Sequence, residues 1–598
     1  MTTLLSRTYR AWRRDGLAGV VHRVCARLAE ALSRHRGEGS FPYSAWIAEN
    51  EPDPAALKLQ RSAAFGLSAR PLFGVLPCPM PTERPETAAL VESLQGQTYP
   101  DWQLSLAPGT QPTSEDLRIV NAPPRGEWLV LLSRGAQLAP DALFEAARTL
   151  SAGNTDALYA DNDLLDRWGH RQKPFFKPEF SPELLLSVDY LAPFFVIRPA
   201  LLGLSPPPRN ELEHWELALR VAEGTQRIAH VPRVLAHAKV SANPAIGRSA
   251  VEAHLNRRGL AARVMVTPRG NLRASWPDPT VKVGVVIPTR DGIACLAPCL
   301  AAVARTRGRI AVLVVDNGSR DRATLDFLER EETSGHIGVL RRPGPFNWSA
   351  LNNAGARAVE GEVLAFVNDD IEALDEDWLE ELACWAWRPE VGVAGGLLLR
   401  PDRTVQHAGV AFGLGGVAAH PFERLSEEAQ GPLGLVGWYR NWLAVTGACQ
   451  VTRREVFEAL GGFDESFHAL FSDIDFCLRA GRRGLRIVFT PFARLLHHHG
   501  TTRGGDDRMP PHDFLVAYDR FADVLGSGDP YFNVNLSRWS AVPALRRRGE
   551  VEPRTWLSTL TELLAERFPY EASRLPQSIS SLADEVAARL GADKPENR

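Results

Sequence analysis

From about residue 70 onward, apolar and polar positions follow a pattern of alternating strands and helices. Short apolar runs such as 283–287 and 364–367 alternate with stretches of helical periodicity. Short buried strands that alternate with amphipathic helices are typical of βαβ units, which build an α/β domain around a mostly parallel sheet. The pattern therefore predicts an α/β architecture for most of the chain.

This α/β pattern occurs twice. Residues 70–240 match residues 281–500 through four blocks in the same order. The matched blocks are FGVLPCPMP with VGVVIPTR, GEWLVLLSRGAQLAPDAL with GEVLAFVNDDIEALDEDWL, LAPFFVIRPALL with LAVTGACQVTRREVF, and HWELALRVAEGTQRIAHVPRVLAH with IDFCLRAGRRGLRIVFTPFARLLH. We therefore predict two tandem copies of one domain, at 70–274 and 281–505, joined by a linker that contains two prolines.

The two copies differ at positions where strands and helices meet. Asn368-Asp369-Asp370 follows a buried strand in the second copy, where the first copy has Ser133-Arg134-Gly135. Ser472-Asp473-Ile474-Asp475 corresponds in the same way to Glu213-His214-Trp215-Glu216. The first copy keeps the scaffold and lacks the acids, so we expect the second copy to be the working domain and the first to be a degenerate partner.

Both ends of the chain show helical patterns outside the repeat. Residues 1–69 form a predicted helical extension, and 506–598 form a second helical region. Within the first extension, residues 1–36 combine apolar positions at helical spacing with eight arginines. Two interpretations stay open for this segment, a helix packed on the protein body with a solvated basic face, or a helix lying on an anionic membrane surface.

Composition and charge narrow the class of protein. Of the 598 residues, 44% are apolar and 23% are charged, as in ordinary globular proteins. The 68 basic and 71 acidic residues give a net charge of −3, so we expect no nucleic-acid partner. The seven cysteines show no C-x-x-C spacing, which argues against a disulfide framework or a zinc site.

The distribution of apolar residues also bears on location. No apolar run reaches the length of a membrane span, and arginines interrupt the N-terminal apolar positions where a secretory signal needs a continuous apolar core. We therefore expect a cytoplasmic protein, with the inner face of the membrane as the alternative location.

Polar residues follow three predicted strands of the second copy. In an open parallel sheet, ligands bind outside the carboxyl ends of the strands. The loops that begin with Pro288-Thr289-Arg290, Asp316-Asn317 and Asn368-Asp369-Asp370 should therefore surround one crevice. Asp369 and Asp370 offer oxygen ligands suited to Mg²⁺ or Mn²⁺. His497, the first histidine after an apolar strand, is a candidate third ligand.

Asp473 and Asp475 precede an apolar helical run. Carboxylates at the start of a helix often serve only as caps. Because two acids two residues apart cannot face the same way on a helix, one can cap while the other points into the crevice. A carboxylate in the crevice could act as a general base towards a hydroxyl.

Residues 281–505 resemble the family 2 glycosyltransferases, which have the GT-A fold. The segments that carry the resemblance are VVIPTRDG, VVDNGS, FNWSALNNAGA, LAFVNDDIEAL, QHAGVAFGLGGVAAH, VTGACQVTRREVFEALGGFDESF, FSDIDFCLR and TPFARLLHHHG. The chain is most similar to the bacterial O-antigen and cell-wall polysaccharide group, including rhamnosyltransferase-like members. These also have a degenerate amino-terminal GT-A copy and a tail like residues 529–536. The resemblance implies two tandem GT-A domains with helical extensions.

The resemblance also implies a role for each matching residue. For the nucleotide sugar it implies a base contact from Asp316 and further contacts from Pro288, Thr289, Arg290, Asn317, Asn347, Asn353 and Asp369. It implies Asp370 and His497 as metal ligands and Asp473 as the catalytic base. On the acceptor side it implies Gln406, His407 and Asp475, with His420 in the same glycine-rich region.

The reaction implied by the resemblance is inverting sugar transfer. The donor would be a nucleotide-diphosphate sugar whose diphosphate is held by Mn²⁺ or Mg²⁺. The acceptor would be a hydroxyl of a growing bacterial surface polysaccharide or lipid-linked glycan. Two alternatives stay open. One is a nucleotidyltransferase, which would need a glycine-rich basic loop at 288–292. The other is a non-catalytic carbohydrate-binding scaffold, the interpretation that the first copy favours.

Overall fold

The computed structural model describes residues 41–78, 84–106, 116–120, 125–203, 208–239, 243–277, 280–498, 513, 516–517, 520–550 and 552. The basic segment 1–36 and most of the predicted C-terminal helical region lie outside the described residues. Within the described part of that region, Ala522–Ser527 is helical, but 528–550 are irregular, with turns, bends and one β-bridge between Leu536 and Leu545. No helix of the described chain is long and apolar enough to span a bilayer.

The first α/β unit is built around a sheet of nine strands. Its strands are β1 (Phe73–Cys78), β2 (Trp102–Ser105), β3 (Ile119–Val120), β4 (Trp128–Ser133), β5 (Gln137–Leu138), β6 (Ala157–Leu165), β7 (Arg171–Phe175), β8 (Phe194–Ile197) and β9 (Ile228–Ala238). Its helices are α1 (Tyr43–Asn50), α2 (Pro54–Ala63), α3 (Arg84–Gln95), α4 (Ala142–Ser151), α5 (Pro182–Leu185), α6 (Pro199–Leu202), α7 (Glu211–Gly224) and α8 (Arg248–Arg257). A hairpin of β10 (Arg263–Val266) and β11 (Leu272–Ser275) leads to the second unit.

The second unit is built around a sheet of ten strands. Its sheet contains β12 (Lys282–Thr289), β13 (Arg309–Asp316), β14 (Gly338–Arg341), β15 (Val363–Val367), β16 (Ile371–Ala373), β17 (Val391–Leu399), β18 (Val405–His407), β23 (Arg440–Trp442), β24 (Cys449–Arg453) and β25 (Arg486–His497). Short strands pair outside it, namely β19 (Ala411–Phe412), β20 (Ala418–Ala419), β21 (Gln430–Gly431) and β22 (Gly434–Leu435).

Helices complete the second unit and continue into the tail. They are α9 (Ile293–Ala304), α10 (Arg322–Thr333), α11 (Trp348–Ala358), α12 (Trp378–Ala386), α13 (Arg454–Ala459), α14 (Ser472–Arg482) and α15 (Ala522–Ser527). β12 and β15 are buried along almost their whole length. Strands covered on both faces need continuous apolar runs rather than an alternating pattern. The sequence has such continuous apolar runs at β12 and β15.

The two sheets have the same strand order. The first runs β3-β2-β1-β4-β8-β6-β9-β5, and the second runs β14-β13-β12-β15-β24-β17-β25-β16. In each, the first four strands are parallel, and the fifth, β8 or β24, is antiparallel to both neighbours. The predicted fold class, two tandem α/β units of GT-A type with mostly parallel sheets, is therefore confirmed.

The C-terminal segment contacts both units. Asn533 donates from Nδ2 to both carboxylate oxygens of Asp161 in the first unit, at 3.1 and 3.0 Å. Asp529 accepts a hydrogen bond of 2.8 Å from the backbone N–H of Phe412 in the second unit. Because Asp161 and Asp529 are both buried, this segment fastens the two units together from one side.

Candidate active site

The carboxyl ends of β12 and β13 lie side by side, with Thr289 opposite Asp316. Asp316 is buried, and its Oδ1 accepts hydrogen bonds from the backbone and hydroxyl of Ser319. Its Oδ2 accepts from the Arg341 guanidinium at 2.8 Å. Asn317 donates from Nδ2 to the carbonyl of Arg342 at 2.9 Å. The predicted nucleotide side is thus a fixed polar loop at one edge of the crevice.

A second contact ties these two loops together. Pro288 lies within β12, and exposed Arg290 follows the end of the strand. Asp291 adopts a φ of 51°. Its Oδ1 accepts hydrogen bonds from the backbone N–H groups of Arg320 and Asp321 at 2.6 and 2.8 Å. This contact holds the ends of β12 and β13 in one arrangement.

Asn347 and Asn353 both contact the loop at 463–465. Asn347 caps α11 through the N–H of Ala350 and donates from Nδ2 to the carbonyl of Glu465 at 2.9 Å. Asn353 exchanges two hydrogen bonds with the backbone of Phe463. In this structure their amides position a loop, while the nucleotide contact implied by the resemblance stays a prediction.

Asp369 and Asp370 lie at the turn between β15 and β16. Thr289 donates from Oγ1 to Asp369 Oδ2 at 2.7 Å, which joins this turn to the end of β12. Burial, with a smaller contribution from the neighbouring charge of Asp370, raises the pKa of Asp369 to about 7 against the hydrogen bond from Thr289. The two carboxylates are therefore held close together in a poorly solvated place.

Strand pairing brings His497 to Asp370. β16 runs antiparallel to β25 with Ile371 opposite His497, and the N–H of His498 donates to the carbonyl of Asp370 at 3.0 Å. As a result, His497 Nε2 lies 3.1 Å from Asp370 Oδ1. The predicted pair of metal ligands is thus brought together by a sheet contact.

The donor atoms of this pair fit a divalent cation. His497 Nδ1 lies 2.8 Å from Gln406 Oε1, an oxygen that only accepts, so the ring proton belongs on Nδ1. In the neutral ring, Nε2 then presents a lone pair to a carboxylate oxygen, an arrangement that a shared cation stabilises. Adjacent ligands at about 2.1 Å from an octahedral ion lie about 3 Å apart, which matches the observed separation.

The protein supplies only part of such a coordination shell. Among the described residues, no cluster of three or more His, Cys, Asp or Glu side chains is arranged to hold a metal ion. Mg²⁺ and similar ions commonly take one or two protein ligands together with water and substrate phosphates. The pair of Asp370 and His497 suits a cation that arrives with a phosphate group.

Asp473 lies at the start of α14, next to a tight turn before β24. Its Oδ2 accepts a hydrogen bond of 2.6 Å from the N–H of Gly447, and its Oδ1 accepts from the N–H of Ile474. Burial raises the pKa of the Asp473 carboxyl, against these backbone hydrogen bonds. A raised pKa makes the carboxylate a stronger base once it is deprotonated.

The same turn connects Asp473 with the turn that carries Asp369 and Asp370. The carbonyl of Ala448 accepts a hydrogen bond of 3.0 Å from the N–H of Asn368, which directly precedes Asp369. Trp348 donates from Nε1 to the Asn368 side chain at 3.2 Å. A Cβ on Gly447 would lie 2.8 Å from the Trp348 ring and 2.9 Å from Asp473 Cβ. Close packing at Gly447 thus sets Asp473 beside the turn that holds the acids.

The three residues predicted for the acceptor side lie in different surroundings. Gln406 Oε1 contacts Nδ1 of His497, on the side of the ring away from Asp370, so it supports a predicted metal ligand. His407 is buried, which holds its pKa well below the usual range, and its Nε2 accepts from the N–H of Thr446 at 3.4 Å. Asp475 pairs with Arg479 and Arg520 at 2.7 and 3.1 Å, which anchors α14.

Sequence reasoning missed the supporting residues of this site. Gly447 and Trp348 determine how close Asp473 comes to the turn at 368, yet neither carries a titratable group. Their signal in the sequence is indirect, since a glycine and a large aromatic side chain often meet where two backbones approach closely. Gln406 was singled out, but its role behind His497 depends on pairing between β17, β18 and β25.

Comparison with known proteins assigns a family to part of the unit that carries this site. Residues 284–461 match the family model described as Glycosyl transferase family 2. The match includes the turns at Asp316 and Asp370 and ends before Asp473 and His497.

Curated relatives cover more of the chain. It is 36% identical to the O-antigen biosynthesis protein RfbC of Myxococcus xanthus, over 85% of this chain and 43% of that protein. It is 27% identical to an N-acetylglucosaminyl-diphospho-decaprenol L-rhamnosyltransferase of Mycobacterium tuberculosis, over 36% of this chain and 74% of the relative. The chain thus spans less than half the length of the first relative.

Among solved structures, the chain is similar to that of GalNAc-T7 with UDP, GalNAc and Mn²⁺, with a TM-score of 0.36 and 15% identity. That match covers 54% of this chain and 56% of the other. The family assignment rests on the sequence match at 284–461. The chain therefore contains a glycosyl transferase family 2 domain.

Proposed function

We propose that this protein is an inverting glycosyltransferase. It would move a sugar from a nucleoside-diphosphate donor to a hydroxyl of a bacterial surface polysaccharide or lipid-linked glycan. The observation that carries the proposal is the separation of 3.1 Å between Asp370 Oδ1 and His497 Nε2. The family 2 domain and the similarity to an O-antigen biosynthesis protein support the same reaction class.

Asp370 and His497 would hold Mn²⁺ or Mg²⁺, and Gln406 would orient the His497 ring. When bound, the cation neutralises charge on the diphosphate as it departs. Thr289 keeps Asp369 turned towards the end of β12. Asp316, with Asn317 and Arg290 at the same edge, would bind the nucleoside, as the resemblance implies.

Asp473 would remove the proton from the acceptor hydroxyl. The hydrogen bonds from Gly447 and Ile474 fix its orientation, and burial strengthens it as a base. The acceptor oxygen would then attack C1 of the sugar from the face opposite the nucleotide. Because transfer needs little covalent chemistry from the protein, positioning and charge stabilisation would supply most of the acceleration.

The donor sugar and the location are further parts of the proposal. The relative named as an L-rhamnosyltransferase supports a rhamnosyl donor. A cytoplasmic setting would give access to nucleotide sugars, and a contact of residues 1–36 with the inner face of the membrane would bring the enzyme to a lipid-linked acceptor. A panel of UDP-, GDP- and dTDP-linked sugars, scored by donor hydrolysis with Mn²⁺, tests the choice of donor.

Replacement of the base tests the proposed reaction. Asp473→Asn should abolish transfer and donor hydrolysis, because the amide cannot accept the proton, while nucleotide-sugar binding measured by calorimetry stays within about twofold. Asp529→Asn is a matched control, because Asp529 is another carboxylate that accepts a backbone N–H, from Phe412. Near-normal turnover in Asp473→Asn would show that the assigned base is wrong.

A further inference from the structure

A cavity of about 710 Å³ lies in the first α/β unit, away from the site described above. Its walls include the ends of β4 and β8 and the start of α7, at Ser133, Pro193 and His214. The segment at 430–438 of the second unit and the tail at 542–545 cover other sides. A cavity of this volume is in the range of small-molecule sites.

The cavity occupies the position in the first unit that the proposed active site occupies in the second. Gly74 pairs with Leu129 as Gly284 pairs with Leu364, so Ser133 is equivalent to Asn368. Through the pairs of β8 and β24, Ala192 is equivalent to Gly447. Both Ser133 and Ala192 line the cavity.

The equivalence extends to the proposed base. Through β6 and β17, Ala229 corresponds to Val488. His214 and Asp473 lie at the same distance along the chain before these two residues. His214 therefore takes the place of Asp473, and the position of the metal-binding turn holds Arg134 and Gly135.

Three polar atoms of this cavity's walls are without a hydrogen-bond partner in the described part of the chain. They are His214 Nε2, Asp189 Oδ1 and Trp438 Nε1. His214 is 2% exposed and is fixed by a contact of 2.6 Å between its Nδ1 and Asp189 Oδ2. Because these atoms lie beneath the cavity surface, a ligand would reach this wall at the Asp189 side chain, which is 11% exposed.

The remaining lining suits a neutral polyhydroxylated ligand. Phe175 contributes a partly exposed aromatic ring, on which the C–H face of a sugar can pack, while Tyr190, Trp215 and Trp438 are almost fully buried in the wall. Charged lining residues balance, with Arg134 and Lys173 against Asp189 and Glu211. A nucleoside diphosphate would need an excess of positive charge, which this cavity lacks.

We propose that the cavity of the first unit is a saccharide-binding site. It lies at the position equivalent to the proposed active site of the second unit but lacks the carboxylates of that site. A sugar would pack on Phe175 and exchange hydrogen bonds with Asp189 and Glu211, while the contact with His214 holds Asp189 in place. The segment at 430–438, which lines the cavity, continues through β23 to the turn that holds Asp473. A glycan in the first unit would thus lie against the chain segment that leads to the second site.

Ligand-detected NMR on the full chain tests this site. The probes are methyl α-L-rhamnoside, methyl α-D-mannoside and methyl N-acetyl-β-D-glucosaminide, without nucleotide or metal. We expect saturation transfer to at least one glycoside, and about tenfold weaker binding in His214→Gln. His254→Gln is the matched control, because His254 forms the same 2.6 Å contact with Glu223 in this unit without lining the cavity.

Two further variants keep the test decisive. Glu211→Gln changes an exposed lining residue, so it should weaken binding even if His214→Gln fails to fold. Asp370→Ala should leave glycoside binding unchanged, which separates this site from the proposed catalytic centre. The proposal would be overturned if none of the three glycosides received saturation transfer. It would also be overturned if glycoside binding survived both His214→Gln and Glu211→Gln.

Discussion

At the scale of single residues, the proposed chemistry depends on one position without a side chain. Gly447 donates its N–H to Asp473, and the space where a Cβ would lie is already taken by the Trp348 ring and Asp473 itself. Sequence reasoning could select Asp473, because acids stand out. The glycine that positions it becomes visible only when the distances are known.

A methyl group at 447 should therefore impair both stability and turnover. Gly447→Ala should lower the free energy of unfolding by about 1–3 kcal/mol, since overpacking displaces neighbouring groups. It should also lower kcat by displacing Asp473. Chemical denaturation and initial rates measure the two effects.

Gly481→Ala is the control for this prediction. It lies in the same helix as Asp473, and a Cβ there meets no heavy atom within 4 Å. It should keep full activity and gain up to about 1 kcal/mol of stability. Equal behaviour of the two alanine variants would contradict the account of Gly447.

Burial of Asp473 also predicts a pH dependence. A general base works when deprotonated, and burial raises the pKa of this carboxyl above the usual 3.8. We expect kcat to fall as the pH drops through a value above 3.8. Measurement of Mn²⁺ binding over the same pH range distinguishes protonation of Asp473 from loss of the cation. Constant kcat down to that usual value would argue against Asp473 as the base.

At the scale of elements, strand pairing creates the site. Asp370 and His497 meet because β16 pairs with the end of β25. Sequence patterns could predict the strand before Asp369 and the apolar strand before His497, since both are continuous apolar runs. They could not predict that Gln406, 91 residues before His497, lies behind its ring, because this contact depends on the register of three strands.

This support predicts a specific effect on metal binding. Gln406→Leu should weaken Mn²⁺ affinity by about 10- to 100-fold, because groups behind a histidine ligand fix its tautomer and orientation. Gln406→Glu keeps an acceptor for Nδ1 and should restore most of the affinity. Calorimetric titration with Mn²⁺ in the presence of UDP measures both. Equal affinities of wild type and Gln406→Leu would contradict the proposed arrangement.

At the scale of the whole molecule, two copies of one fold share a tail. The repeat was predictable because four sequence blocks recur in order, and the identical strand order of the two sheets agrees with it. The tail was not predictable in this way. A helical region was expected, but residues 528–550 form turns in which side chains of Asp529 and Asn533 bond the two units.

Loss of one tail contact should loosen this connection. Asn533→Ala removes the donor to both oxygens of buried Asp161 and should cost about 1–3 kcal/mol of stability. Limited proteolysis should then cut the tail faster than in wild type. Val534→Ala, at an exposed neighbouring position, should leave the cleavage rate unchanged. Identical cleavage in the two variants would show that the contact does not hold the tail.

The central claim is that Asp370, His497 and Asp473 surround one place where a cation and a diphosphate bind. Crystals grown with Mn²⁺ and a nucleoside diphosphate (UDP, GDP or dTDP) test this most directly, through anomalous scattering at the manganese edge. We predict a peak within bonding distance of both Asp370 and His497, with phosphate oxygens completing its coordination and Asp473 facing the open side. A nucleotide bound elsewhere, or manganese bound away from these two residues, would contradict the account.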